Sequence, residues 1–198
     1  MSRQYCTRCE RPLVTCICKF VQTIDNHVQV WFLQHPKEQH HSKGSAKLAH
    51  LSLRNSRILI GEDFSDCDAL NQAIQDDQVN VRLLYPSNDA ELARPISDEQ
   101  QAKLVIVILD ATWKKAYKML QLSKNLQALP TITLDAEIKS QYVIRKHHKV
   151  NDVSSLEACA HALIALEDNP TKYQGLLNAF TSFNQWQLEL SGRHQQQK

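Results

Sequence analysis

Along this chain, unbroken apolar runs alternate with stretches in which apolar residues return every three or four positions. The longest run, 104–109, holds six apolar residues, mostly β-branched, and stops at Asp110. Such a run reads as a strand buried on both faces, the kind found inside a parallel sheet. Shorter runs at 27–33, 57–61, 81–86 and 129–134 predict four more strands. Residues 141–146 predict either a sixth short strand or an ordered loop. Between them, helical spacing predicts a short helix at 45–53 with Ser45 as its cap, an acidic helix at 65–77 and a helix at 113–122. Ser154-Ser155-Leu156-Glu157 is a capping box that opens a helix to about Asp168. Pro170 starts a last amphipathic helix through Leu190. Residues 87–101 predict a helical or irregular connector interrupted by Pro95, and the polar tail 195–198 is expected to be disordered. Strands alternating with helices give an α/β class, with a mostly parallel sheet flanked by helices.

This pattern puts Asp110, Thr112 and Trp113 where a central strand turns into a helix. Open α/β sheets place ligands at that carboxyl edge. The competing reading makes Asp110 only a helix N-cap, accepting a backbone N–H. Trp113 adds a stacking surface beside the carboxylate, and Lys114 and Lys115 add cations within the same short stretch.

Composition narrows the chemistry. Only four glycines occur in 198 residues. Neither a dinucleotide-binding fingerprint nor a P-loop is present. No apolar run approaches the length that spans a bilayer. The N-terminus lacks the apolar core of a signal peptide. A cytoplasmic location is therefore expected. The net charge of +2 hides an uneven distribution. Residues 1–50 carry seven Lys/Arg against three Asp/Glu, and residues 101–150 carry nine against three. Two basic blocks that met in space would make a nucleic-acid footprint. Apart, each is an ordinary solvated face.

The first basic block contains Cys6-Thr7-Arg8-Cys9 and Cys16-Ile17-Cys18. Four cysteines within thirteen residues of a cytosolic chain point to a tetrahedral Zn²⁺ site, with Cys6, Cys9, Cys16 and Cys18 as ligands. A disulfide or a redox pair is the alternative. The metal would supply the folding energy of a segment too short to have its own core. A small knuckle bearing arginines is also a common nucleic-acid contact. Cys67 and Cys159 fall outside the pattern and read as buried thiols. His35, His40 and His41 read as loop histidines near phosphates, with metal ligation as the alternative.

Taken together, the motifs resemble the DTW-domain family over nearly the whole chain. The resemblance rests on Asp110-Ala111-Thr112-Trp113 and on the cysteine knuckle. It also rests on Gln34-His35-Pro36-Lys37-Glu38, His41-Ser42-Lys43-Gly44-Ser45-Ala46-Lys47-Leu48, the block from Leu83 to Ala90, Leu129-Pro130, the block from Tyr142 to Lys146, and Ser154-Ser155-Leu156-Glu157-Ala158. The chain departs from the family pattern at Val143, at His147-His148, and at Ser155, where threonine is usual.

The resemblance implies a SPOUT-like, knotted α/β domain over residues 23–194, preceded by the zinc knuckle at 1–22. It implies a monomeric enzyme that moves the 3-amino-3-carboxypropyl group of S-adenosylmethionine to N3 of a tRNA uridine and releases methylthioadenosine. Asp110 is the candidate general base, since the uracil N3 proton must leave; binding the donor's ammonium or holding the loop is the other reading of that carboxylate. Leu84, Pro86, Asp110, Thr112, Trp113, Leu129, Pro130, Tyr142, Ile144, Ser155 and Glu157 are expected at the donor, Glu157 rather as the capping-box partner. Arg8, Arg11, Lys43, Lys47, Lys114, Lys115, Arg145 and Lys146 are expected at tRNA phosphates. A SPOUT-like RNA methyltransferase and a non-catalytic RNA-binding protein with a zinc knuckle are the alternatives.

Overall fold

Seven consecutive residues, Leu104–Asp110, form the central strand, and all seven are buried. The structure, a computed structural model, describes residues 4–39, 41, 44–135 and 153–195. The strands are β1 (Gln29–Gln34), β2 (Ser56–Ile60), β3 (Asn80–Leu84), β4 (Glu91–Leu92), β5 (Leu104–Asp110) and β6 (Thr131–Thr133). They form one parallel sheet in the order β2-β1-β5-β3-β6-β4. The expected α/β class and the parallel sheet are both present. The described helices are α1 (Ala46–Ser52), α2 (Asp68–Gln75), α3 (Asp98–Lys103), α4 (Trp113–Leu122), α5 (Lys124–Gln127), α6 (Ser155–Glu167) and α7 (Pro170–Gln195).

Alternation along the strands splits the core into two layers. Val30, Phe32, Leu104, Ile106 and Ile108 face one side and pack with residues of α1, α6 and α7. Trp31, Leu33, Val81, Leu83, Val105, Val107 and Leu109 face the other and meet Leu70, Ala116, Met119 and Leu126 from α2, α4 and α5. A strand between two helical layers has no polar face, which is why the 104–109 run is continuous. The cysteine knuckle is not a detached appendage. Its Cys9 and Ile17 are buried in the same core layer as Phe180 and Phe183 of α7.

Several boundaries differ from the sequence pattern. The acidic helix begins at Asp68 rather than residue 65, because Asp63 and Ser65 close a turn: Ser65 N donates to Asp63 Oδ1 at 2.9 Å. The connector 87–101 contains the two-residue strand β4 and the capped helix α3, whose Ser97 and Gln100 form a capping box. Leu129 and Pro130 precede β6 instead of lying in it. The last helix runs to Gln195, past the expected end at Leu190 and into the expected tail. Residues 141–146, expected as strand or loop, lie outside the described residues, as do the rest of 136–152 and the tail residues 196–198.

Candidate functional site

β1 and β5 end at the same level, so Gln34 and Asp110 are register partners. Gln34 Nε2 donates to Asp110 Oδ2 at 2.7 Å. Ser155 Oγ, at the first position of α6, donates to Asp110 Oδ1 at 2.6 Å. The His35 backbone N–H donates to the Asp110 carbonyl at 3.1 Å. One carboxylate, 6% exposed, thus joins two strand tips to a helix N-terminus. The positive end of α6 favours an anion there. The N-cap of α4 is Thr112, whose side chain makes no capping bond. Asp110 is therefore not the cap of the helix that follows it, and its carboxylate is used across the sheet instead.

The start of α6 is fixed by its capping box. Ser154 Oγ accepts from Glu157 N at 3.2 Å, and Glu157 Oε2 accepts from Ser154 N at 2.9 Å. Glu157 is thus the capping partner, buried, while Ser155 points to Asp110. Leu156 N donates to Ser45 Oγ at 3.4 Å, so Ser45 binds α6 rather than capping its own helix.

The turn after β1 is tied on two sides. His35 is 5% exposed. Its Nδ1 accepts from Lys37 N at 3.1 Å, so the ring proton lies on Nε2, 3.1 Å from Glu62 Oε1. Glu62 also accepts from Lys118 Nζ at 3.0 Å. Lys118 and His35 hold the Glu62 carboxyl below its ordinary value. Lys115 Nζ lies 2.6 Å from Glu38 Oε1. His35 thus braces the turn, and Lys115 is ion-paired to Glu38 on its other side.

Trp113 is 43% exposed, and Tyr85 packs against it edge-on with ring centroids 6.2 Å apart. Burial, and then the Tyr117 phenol, push the Tyr85 hydroxyl above its ordinary value. Register places the other expected residues. Val107 pairs with Leu83, and Leu83 with Thr131. Pairing with β5 ends at Leu83, and β3 ends at Leu84, which is followed by Tyr85 and Pro86 at the same carboxyl edge of the sheet. Pro130 precedes β6, at the amino end of that strand, where its carbonyl accepts from Leu83 N at 3.0 Å. Leu129 is buried in the core layer under α4. The structure gathers Asp110, Thr112, Trp113, Pro86, Leu84 and Ser155 towards one edge, and leaves Leu129 and Pro130 away from it. Tyr142, Ile144, Arg145, Lys146, Lys43 and His40 lie outside the described residues. Gln34 and Ser45 are the site's additions. Their signal was a polar residue closing an apolar strand and a serine opening a helix, and their partners are 76 and 111 residues away.

The second centre is the knuckle. The Sγ atoms of Cys6 and Cys18 are 3.6 Å apart and those of Cys9 and Cys16 are 3.7 Å apart. All four lie within 4.8 Å of one another, and none is in a disulfide. Four sulfurs bound tetrahedrally at about 2.3 Å stand about 3.8 Å apart, so the cluster has the size of a metal site. Backbone N–H groups of Cys9 and Arg8 pull the Cys6 thiol down to about 6, towards the thiolate a metal takes. Burial and the neighbouring thiols push Cys18 up to about 12. A bound cation would relieve that crowding. Glu10 closes the turn with φ 60° and pairs with Lys47 at 2.6 Å. Arg11 is held inside the molecule: its Nη2 donates to Gly44 O at 3.3 Å, and its guanidinium lies 5.8 Å from the Phe183 ring. Of the expected phosphate contacts, Arg8 and Lys114 are exposed, whereas Arg11, Lys47 and Lys115 are engaged in the fold.

The model of the DTW domain family matches residues 3–188 of this chain. A relative from Drosophila melanogaster, called tRNA-uridine aminocarboxypropyltransferase 2, is 28% identical over 99% of this chain and 80% of its own length. A protein of the same name from Macaca fascicularis is 29% identical over 94% of this chain, which spans 64% of that protein. One from Arabidopsis thaliana, called tRNA-uridine aminocarboxypropyltransferase A, is 26% identical over 83% of this chain and 73% of its length. No solved structure matches the chain.

Proposed function

The chain belongs to the DTW domain family, and from that membership we propose that it is a tRNA-uridine aminocarboxypropyltransferase. S-adenosylmethionine, when bound, supplies an electrophilic carbon next to its sulfonium: uridine N3 bonds to that carbon, the carbon–sulfur bond breaks, its electron pair stays on sulfur, and methylthioadenosine leaves. The observation that carries the reading is the convergence of the family's signature residues, Asp110, Ser155 and the turn after Gln34, on one sheet edge.

Asp110 is the acceptor for the N3 proton in this reading. Gln34 and Ser155 fix its plane. Trp113, Leu84 and Pro86 offer the apolar walls for the adenosyl and methylthio groups, and Ser155 with Thr112 the polar contacts. The expected roles of Tyr142 and Ile144 belong to the same proposal. Zn²⁺ is the metal we assign to Cys6, Cys9, Cys16 and Cys18, with a structural role, since the four thiolates leave no open position for chemistry. Among the described residues no helix is long and apolar enough to cross a membrane. A cytoplasmic, monomeric protein accords with this reading.

The test is a reaction of purified, zinc-replete protein with S-adenosylmethionine and unmodified tRNA, read by nucleoside mass spectrometry and by identification of the spent donor. An aminocarboxypropyl adduct on uridine with methylthioadenosine is expected. Methylated nucleoside with S-adenosylhomocysteine would move the chain to the methyltransferases, and tRNA binding with neither product to the non-catalytic binders. Asp110→Asn then separates its two roles. Loss of a proton acceptor lowers kcat about 100-fold or more with little change in KM for the donor. Loss of an ammonium partner raises that KM instead.

A further inference from the structure

We propose that the outer face of α4 is the surface on which bases of the tRNA substrate stack; this rests on the tRNA-modifying reading above and names where the RNA lies. Tyr117 is the stacking ring; Trp113, four residues before it on the same side of the helix, borders the donor wall proposed above, so the platform begins where the donor site ends. Trp113 and Tyr117 are 43% and 58% exposed, and the buried side of α4 is supplied by Ala116 and Met119, so neither ring is needed to fill the core. Tyr85 extends the surface from the exit of β3, edge-on to Trp113.

A basic row runs beside the aromatic one. Lys114 and Lys118 are also four apart. Lys114 is exposed and enters none of the ion pairs found among the described residues. Lys118 reaches Glu62 at 3.0 Å yet is 59% exposed. Exposed rings with ammonium groups alongside suit single-stranded nucleic acid: bases stack on the rings irrespective of sequence, and phosphates meet the cations. A protein interface is depleted in lysine at its core, so the lysine row beside the rings favours a nucleic acid over a protein partner. The placement also fits the chemistry. Tyr117 lies about 6 Å along the helix axis from Trp113, one turn outward from the strand tip that carries Asp110. A base stacked on Tyr117 would leave a neighbouring nucleotide at the edge of the site.

The experiment measures binding of unmodified tRNA by fluorescence anisotropy at several salt concentrations, and donor binding by calorimetry. Tyr117→Ala is expected to weaken tRNA binding about 5- to 100-fold, with S-adenosylmethionine affinity within twofold of the parent. Tyr117→Phe, which keeps the ring, is expected to bind like the parent. Lys114→Glu is expected to lower the slope of log affinity against log salt by about one phosphate contact or more. Unchanged tRNA affinity in Tyr117→Ala overturns the proposal. So does a Tyr117→Ala effect that light scattering traces to a lost dimer, since the face would then seat a second copy of the chain. The two readings fail separately. A parent that binds tRNA without forming product, with binding weakened by Tyr117→Ala, removes the transferase and keeps the platform. Product formation with an unaltered KM for tRNA in Tyr117→Ala does the reverse.

Discussion

Asp110 shows how a single side chain is set by its neighbours. Its two oxygens accept from Ser155 at 2.6 Å and from Gln34 at 2.7 Å, and both donors come from other elements. Removing either donor lets the carboxylate rotate, and a small misplacement of a reacting group is costly out of proportion to the bond lost. Ser155→Ala is therefore expected to lower kcat about 10- to 100-fold, with tRNA affinity unchanged. Ser155→Thr keeps the hydroxyl and is expected to retain most of the activity. Steady-state kinetics on the three proteins decides the point: equal loss in the Ala and Thr variants would mean that Ser155 acts through space-filling, not through its hydroxyl. Gln34→Met, which keeps the unbranched shape and length, is expected to match Ser155→Ala, because it removes the amide that donates to the other oxygen.

At the scale of elements, α6 is fixed at both ends, and its far end carries a buried carboxylate. Glu167 Oε1 accepts from the backbone N–H groups of His27 and Val28 at 2.8 and 3.0 Å, and Oε2 accepts from Lys172 Nζ at 2.7 Å. Burial pushes this carboxyl up, but Lys172, the Tyr173 hydroxyl and the Val28 N–H outweigh burial and hold it below its ordinary value of 4.5. A carboxyl lowered on folding stabilises the fold above the unfolded value, and the contribution is lost as pH falls through the folded one. Glu167→Gln is expected to cost about 2–3 kcal/mol at pH 7. Urea unfolding should show that gap closing as the pH is taken from 5 towards 3; a gap constant over that range would refute the ionic account. The same helix shows what the sequence makes legible. Ser154 and Glu157 announce its start because a capping box is local in sequence. The β5 run announces itself because burial on two faces removes every polar position. β4 does not, since two residues pairing only with β6 leave no period to read. Leu129 and Pro130 read as strand from composition, yet pairing begins at Thr131. Asp110 was visible as a candidate from its place at a strand tip. Gln34 and Ser45 were not, because their roles depend on partners brought from a distance by the parallel register and by the crossing of α6.

At the scale of the molecule, the cysteine knuckle and the Asp110 edge are linked by an unbroken series of contacts. Arg11 leaves the knuckle and holds the Gly44 carbonyl; the next residue, Ser45, accepts from Leu156 N; and the residue before that, Ser155, holds Asp110. Burial lowers the Arg11 pKa, while its proximity to Cys9 and Cys16 acts to raise it. The knuckle's own core contribution, Cys9 and Ile17, lies against the layer that contains α6 and α7. A thirteen-residue cysteine segment is too short to hold that shape alone, and metal binding supplies its folding energy. Removing zinc should therefore be felt beyond the knuckle. Treatment with a strong chelator is expected to release one zinc per chain and to lower Tm by about 10 °C or more, given the folding energy that structural zinc supplies. It is also expected to weaken S-adenosylmethionine binding, although none of the four cysteines touches Asp110. Arg11→Ala in zinc-loaded protein isolates the link: it should leave the zinc content at one per chain and still reproduce part of the loss in donor affinity. If chelation lowers Tm while calorimetry finds donor binding intact, the knuckle stabilises the molecule without positioning the site, and the contact series through Gly44 and Ser45 carries no functional coupling.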